Sequence, residues 1–309
     1  MNRITGIVVA ALGLVIAILG VIKVGPGLTG PGVFTIIIGG VLIGLSFISK
    51  PDTEGIEPMS TPNTLLNIFV APGEVFKNLR RHPRWLAALL LTVLLSATYS
   101  NLFSMRLGAD RIVNFSVDKT LEMSMIANND EAKKQVEAGR AQQIAAARNP
   151  ITRAGQVVGT FAGFTFVNAL LAVFFLLFAL AMGGRINFWQ AFSVAVYAGF
   201  PVSVIKFVLN TIVLFVKDPT DIHPILGQQS LVQDSLNFLV LPAEHPVIFA
   251  LLGATSLLGL YWMWMNAIGL KNGGEKVTGT IAWSASITVF FILVLFGVTM
   301  AFLFPSFIS

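Results

Sequence analysis

The chain has 309 residues, 55% of them hydrophobic and 11% charged, with a formal charge of +5 and no cysteine. Soluble domains carry about 25% charged residues, so this composition excludes an ordinary water-soluble fold. Without cysteine there is no disulfide framework, thiolate metal site or cysteine nucleophile, and in a membrane chain the sign of each loop matters more than the net charge.

Residues 4–22 form an uncharged run behind Arg3. It has neither the short apolar core nor the small-residue cleavage site of a secretory signal, so it reads as an uncleaved anchor. Gly25-Pro26-Gly27 and Gly30-Pro31-Gly32 punctuate a turn that a helix cannot continue through. Residues 33–48 then cross back, making residues 1–49 a transmembrane hairpin. Gly6, Gly13 and Gly20 lie seven apart on its first helix, and Gly40 and Gly44 form a small-xxx-small pair on its second. Such faces let backbones approach closely, either between two copies or within the hairpin. Residues 50–63 hold three prolines and three acids and read as a linker on the cytoplasmic side.

The next stretch orients everything else. Val75, Phe76 and Leu79 repeat on one face of a short helix that Pro72 suits at its first turn. Lys77, Arg80, Arg81 and Arg84 collect at its end. Residues 85–103 follow without a charge, enough to cross about 30 Å of hydrocarbon. Cations before a span hold that end in the cytoplasm, and Trp85 sits where interfacial aromatics gather. The basic cluster is too short for nucleic acid; attraction to anionic lipid, about 1 kcal/mol per basic residue, accounts for it.

Residues 104–156 turn polar. Ser116 suits a helix start, Asn128-Asn129-Asp130 a break, and residues 131–148 a second helix with a Glu137–Arg140 pair one turn apart. Asn149-Pro150 ends it. This is an external helical loop, either a partner-binding arm or a solvated hairpin.

Residues 157–182 make the next span, with Gly159 and Gly163 at small-xxx-small spacing. Trp189 marks an interface, and residues 191–216 return. Pro201 kinks that helix and releases the carbonyl of Tyr197. Residues 217–246 form a loop with one lysine against Asp218, Asp221, Asp234 and Glu244; Val232, Leu236, Leu239 and Val240 share a helical face suited to the membrane surface. Residues 247–268 and 281–304 complete seven spans. Nine bases (Arg3, Lys50, Lys77, Arg80, Arg81, Arg84, Arg185, Lys271, Lys276) fall on the side of the N-terminus. Only Lys23 and Lys217 fall in the short loops opposite. The asymmetry predicts a cytoplasmic N-terminus and an external C-terminus.

Lys206 is the one ionisable side chain inside a predicted span, and a charge at that depth is a functional-site hypothesis by default. Asn210, one turn on, and Asn168, in the neighbouring span, could take its donors; the alternative is a lysine snorkelling to headgroups. His223 and His245 share a loop with four acids, a composition that admits a divalent metal, but no H-E-x-x-H or i, i+4 ligand pair supports one. Serine-hydrolase, phosphate-loop and dinucleotide signatures are missing. No cofactor is expected.

The layout from residue 64 resembles the Yip1 domain family of integral membrane proteins. The resemblance rests on "LLNIFVAPGEVFKNLRRHPRW", on five following spans with a helical insertion after the first, and on "VAVYAGFP". "LLGLYWMWMNAIGL" and "IAWSASITVFFILVLFGV" extend it to the last two spans. It implies a five-span domain over residues 64–309 with a cytosolic N-terminus. Eukaryotic members are associated with Rab GTPases and vesicle traffic; the N-terminal hairpin and short linkers look more like a prokaryotic plasma-membrane member, to which that role does not carry over. The family supplies no catalytic residues. The expectation is an all-α polytopic protein, not an enzyme, that organises lipids and a membrane-protein partner or a second copy of itself. The alternative is a lipid or small-molecule transporter using Lys206 and Pro201.

Overall fold

The computed structural model describes residues 2–48 and 57–305. Half of the linker expected at residues 50–63, with Lys50, lies outside the described residues, as do the last four. Among the described residues every regular element is helical. Five helices are long and apolar enough to cross a membrane: α1 (Asn2–Val21), α5 (Leu86–Leu107), α9 (Pro150–Ala181), α10 (Phe188–Val216) and α14 (Gly279–Leu303). α2 (Thr29–Leu45) is shorter, at 17 residues.

The sixth predicted span is not one helix. α12 (Pro246–Gly253) and α13 (Leu257–Gly273) meet at a 45° bend. The cause comes from the preceding loop. Asp234 Oδ2 accepts from the Leu258 amide and the Ser256 hydroxyl, and Ser256 Oγ in turn accepts from the Gly259 amide. Those bonds start a fresh helix at Leu257, with a carboxylate at its positive end.

α1 and α2 pack along their whole length. A Cβ at Gly6, Gly13 or Gly20 would lie 2.8, 2.6 or 2.4 Å from α2 or the turn before it. The answering glycines on α2 are Gly32 and Gly39, whose Cβ would stand 2.3 and 2.5 Å from the backbone nitrogens of Ala17 and Ala10. Gly40 and Gly44 point elsewhere and meet nothing within 4 Å. The hairpin tip is fastened to the start of α9, where Asn149 donates to the Val24 carbonyl and Thr152 to that of Pro26. Gly155 takes the Leu28 side chain there, Gly159 touches Pro31, and Gly163 touches nothing.

α10 is the hub, packed by α5, α9 and α13 and by α4 (Pro72–Arg81), which follows α3 (Thr61–Val70). Its first half is buried on all sides. Val75, Phe76 and Leu79 of α4 are buried as their spacing predicts. α13 reaches α10 closely because a Cβ at Gly269 or Gly273 would strike Val194 at 2.6 or 2.8 Å. Trp85 and Trp189 are both 1% exposed, so they are core residues and not lipid-facing anchors. Trp85 meets Phe192 edge-on at 5.2 Å, an arrangement favoured by the ring quadrupoles.

Beyond α5 the polar segment folds as α6 (Ala109–Glu122), a turn at α7 (Ser124–Ala127) and α8 (Asp130–Arg148). α6 begins at Ala109, behind Gly108 with its positive φ of 86°, so Ser116 lies inside the helix and caps nothing. Asn129 caps α8, and Asn149 caps α9, which starts seven residues before the predicted Val157. The surface helix expected around Leu236 is a single 3₁₀ turn, Leu236–Leu239, with both leucines exposed.

Candidate functional site

α6 and α8 form a braced arm. Arg140 binds Asp118 at 2.6 Å, Glu137 on its own helix at 2.9 Å and Asn114 at 3.2 Å, and Arg148 pairs with Asp110. Hydrogen bonds to these carboxylates raise both guanidinium pKa values further. Arg111 ties the arm to the bundle by donating to the carbonyls of Pro219, Thr220 and Ile222.

The segment after α10 folds back over that end of the bundle as a cap containing α11 (Leu226–Gln229). Long-range bonds hold it down. The Tyr99 hydroxyl donates to the Gly227 carbonyl at 2.6 Å, and Asn210 Oδ1 accepts from the amides of Leu231 and Val232 at 2.9 and 3.0 Å. Asp218 caps the first turn, accepting from the hydroxyl and amide of Thr220; those bonds hold its carboxyl below the usual value.

Beneath the cap lies a polar groove. One cavity of about 200 Å³ is lined by Thr92, Ser96 and Ser100 of α5, Ser203 and Lys206 of α10 and Gln228 of the cap, with Leu95, Phe164 and Phe207 as its apolar wall. A second, about 240 Å³, shares Ser96, Ser100 and Gln228 with it and adds Ser104 and Arg153. A third, about 330 Å³, continues outward from Lys206 and Gln229 to Lys217 and Asp221. Lys206 is half-buried and makes no ion pair or hydrogen bond among the described residues.

The other residues singled out from the sequence are dispersed. Asn210 lies beside Lys206, but its oxygen is occupied by the cap amides. Asn168 donates to its own helix at the Phe164 carbonyl and does not line the groove. Tyr197 and Pro201 are buried in the core half of α10, which runs through Pro201 as one helix. Lys77 pairs with Glu74, Arg84 donates to the Met59 carbonyl, Gln190 holds the Arg80 carbonyl, and Arg80 and Arg81 are half-buried. That set lies at the bundle end opposite the cap, so the groove and the basic cluster are separate features. The hydroxyls of α5 were missed from sequence. Their four-residue spacing was readable, but serines in apolar helices commonly bond their own backbone.

His223 is a loop-shaping residue: its Nδ1 accepts from the Ile225 and Leu226 amides and its ring meets Phe115 at 4.9 Å. Asp234, which shares the outer cavity with Asp221 and His223, is spent on capping α13. Among the described residues no three His, Cys, Asp or Glu side chains are placed to hold a metal ion.

No curated protein and no solved structure matches the chain. A family model described as Yip1 domain matches residues 66–301, from within α3 to within α14, and so leaves out the α1–α2 hairpin. With several apolar helices long enough to span a bilayer and a family match over most of its length, the chain is an integral membrane protein belonging to the Yip1 domain family.

Proposed function

We propose that the protein is a non-enzymatic scaffold or adaptor that gathers other membrane components around itself. In this reading the chain crosses the membrane seven times, with its N-terminus in the cytoplasm and its C-terminus outside, in a prokaryotic plasma membrane. The family domain spans residues 64–309, and the hairpin of residues 1–49 is an addition to it. At 1.5 Å per residue α2 is about 25 Å long, and its 17 residues reach the lower limit for a crossing. Arg185, Lys271, Lys276 and the α4 cations sit at one end of the bundle and the arm at the other, in keeping with cationic loops staying inside.

The observation that carries the scaffold reading is the braced arm. Its internal ion pairs and the Arg111 tether hold the outward faces of α6 and α8 in one orientation before any partner arrives. A preorganised surface loses less entropy on binding. The native absence of cysteine makes the test clean. A photoreactive group at exposed Gln142 is expected to give discrete protein cross-links in intact membranes, to a partner or a second copy, and Arg140→Ala to diminish them. Cross-links to lipid alone would refute the scaffold. Labelling of Lys77→Cys and Gln142→Cys from the same side of sealed vesicles would refute the topology.

A further inference from the structure

We infer that the groove beneath the cap is a binding site for a phosphate group, carried by a lipid headgroup or free in solution. The inference stands apart from the scaffold reading, since it uses none of the outward faces of the arm.

Three independent features converge on it. The first is charge. Lys206 and Arg153 line the two inner cavities, and no aspartate or glutamate lines either one. Arg153 spends its Nε on the Ala147 carbonyl at 2.8 Å, which leaves its terminal nitrogens available. Lys206 has no partner among the described residues, although unpaired cations at such depth are rare because desolvation penalises them. Asp221 and Asp234 line the outer cavity that Lys206 also borders, but neither pairs with it. A half-buried cation with no ion pair among the described residues is arranged for an anion that arrives from outside the chain.

The second feature is the supply of neutral donors. Thr92, Ser96, Ser100 and Ser104 fall four residues apart on one face of α5. Thr92 bonds back to the Ala88 carbonyl, as Ser203 does to Gly199. The hydroxyls of Ser96, Ser100 and Ser104 do not, and they make no hydrogen bond among the described residues. Gln228 is carried to the same place by the cap. Several hydroxyl and amide donors around an ammonium match the many acceptor oxygens of a phosphate better than the two of a carboxylate.

The third feature is an apolar neighbour. A groove of about 390 Å³ runs between α1, α5 and α9, lined by side chains such as Leu12, Leu90, Val93 and Phe161. It meets the second polar cavity at Val157. Polar and apolar compartments abutting along the α5–α9 seam suit an amphiphile with its phosphate under the cap and a chain along the seam. The polar cavities alone would suit free phosphate.

The test uses the full-length protein in uncharged detergent, with three probes: phosphatidylglycerol, diacylglycerol of the same chains, and radiolabelled inorganic phosphate. Retained lipid is read by native mass spectrometry and phosphate by equilibrium dialysis. Phosphatidylglycerol is expected to bind the wild type and diacylglycerol not to. Losing the charge-assisted bonds in Lys206→Met should weaken binding at least about tenfold, whereas Lys206→Arg should stay within about threefold because the charge remains. Lys271→Met, at the other end of the bundle, should change nothing. If inorganic phosphate binds the wild type and not Lys206→Met, the ligand is the free anion; if only phosphatidylglycerol does so, it is a lipid. Either result supports the site. Equal affinity in wild type and Lys206→Met, or diacylglycerol binding as tightly as phosphatidylglycerol, overturns it. Should Lys206→Met fail to fold, the double variant Ser96→Ala/Ser100→Ala carries the test, with a several-fold loss expected and an unchanged affinity overturning the proposal.

Discussion

Two adjacent glycines on α2 should respond to the same substitution in opposite ways. A Cβ at Gly39 would lie 2.5 Å from the Ala10 nitrogen and 2.7 Å from its Cα, whereas a Cβ at Gly40 meets nothing within 4 Å. Carbon contacts settle at about 3.5–4.0 Å, so Gly39→Ala forces α1 and α2 apart by roughly 1 Å. The obstacle is backbone, which cannot rotate away as a side chain would. Overpacking costs about 1–3 kcal/mol, and the gain of alanine over glycine in a helix returns about 0.8–1 kcal/mol. The net expectation for Gly39→Ala is a loss of up to about 2 kcal/mol. Gly40→Ala keeps only the propensity gain, so the two variants should differ by the overpacking cost itself, about 1–3 kcal/mol. Unfolding in mixed micelles titrated with denaturing detergent measures the difference, and hydrogen exchange on peptides covering residues 2–21 and 29–45 locates it. Equal effects, or greater damage from Gly40→Ala, would refute the close approach of α1 and α2 through Gly39.

Trp85→Ala should cost about 3–5 kcal/mol, as for a large buried aromatic; a drop below 1 kcal/mol in the same unfolding titration would return Trp85 to the membrane interface. Asn210→Leu strands the Leu231 and Val232 amides and should cost about 1–3 kcal/mol, seen as lost exchange protection at residues 230–232, while Asn210→Asp keeps the acceptor and the protection. Asp218 has a depressed pKa in the folded protein because of its Thr220 bonds. Its contribution is therefore complete above the ordinary carboxylate value of 3.8 and fades as pH falls through the lower folded value. Pepsin nicking at the 218–222 turn should rise over that range, and Asp218→Asn should abolish the rise; nicking insensitive to pH in the wild type would remove the cap from the account.

The chain's class and most of its helices were legible because the signals are local. Uncharged runs behind Arg3 and Arg84 mark helices whatever surrounds them. Val75, Phe76 and Leu79 announce a buried face by spacing alone, and Asn129 and Asn149-Pro150 mark boundaries by their own backbone chemistry. Which apolar surface meets protein and which meets lipid was not legible, because lipid tails are as apolar as leucine and exert no sorting force on composition. So Gly40 and Gly44 read as well as Gly32 and Gly39, and Trp85 read as an anchor although Phe192 encloses it. The break between α12 and α13 depends on Asp234, more than twenty residues away across a loop. The groove is more remote still from any local pattern: its cations and hydroxyls come from α5, α9 and α10, and the cap that brings Gln228 over them is pinned by Tyr99 and Asn210. Periodicity put Lys206 on a membrane helix; only the packing of three helices and a folded-back loop set serines around it, with the cap's aspartates at the outer mouth.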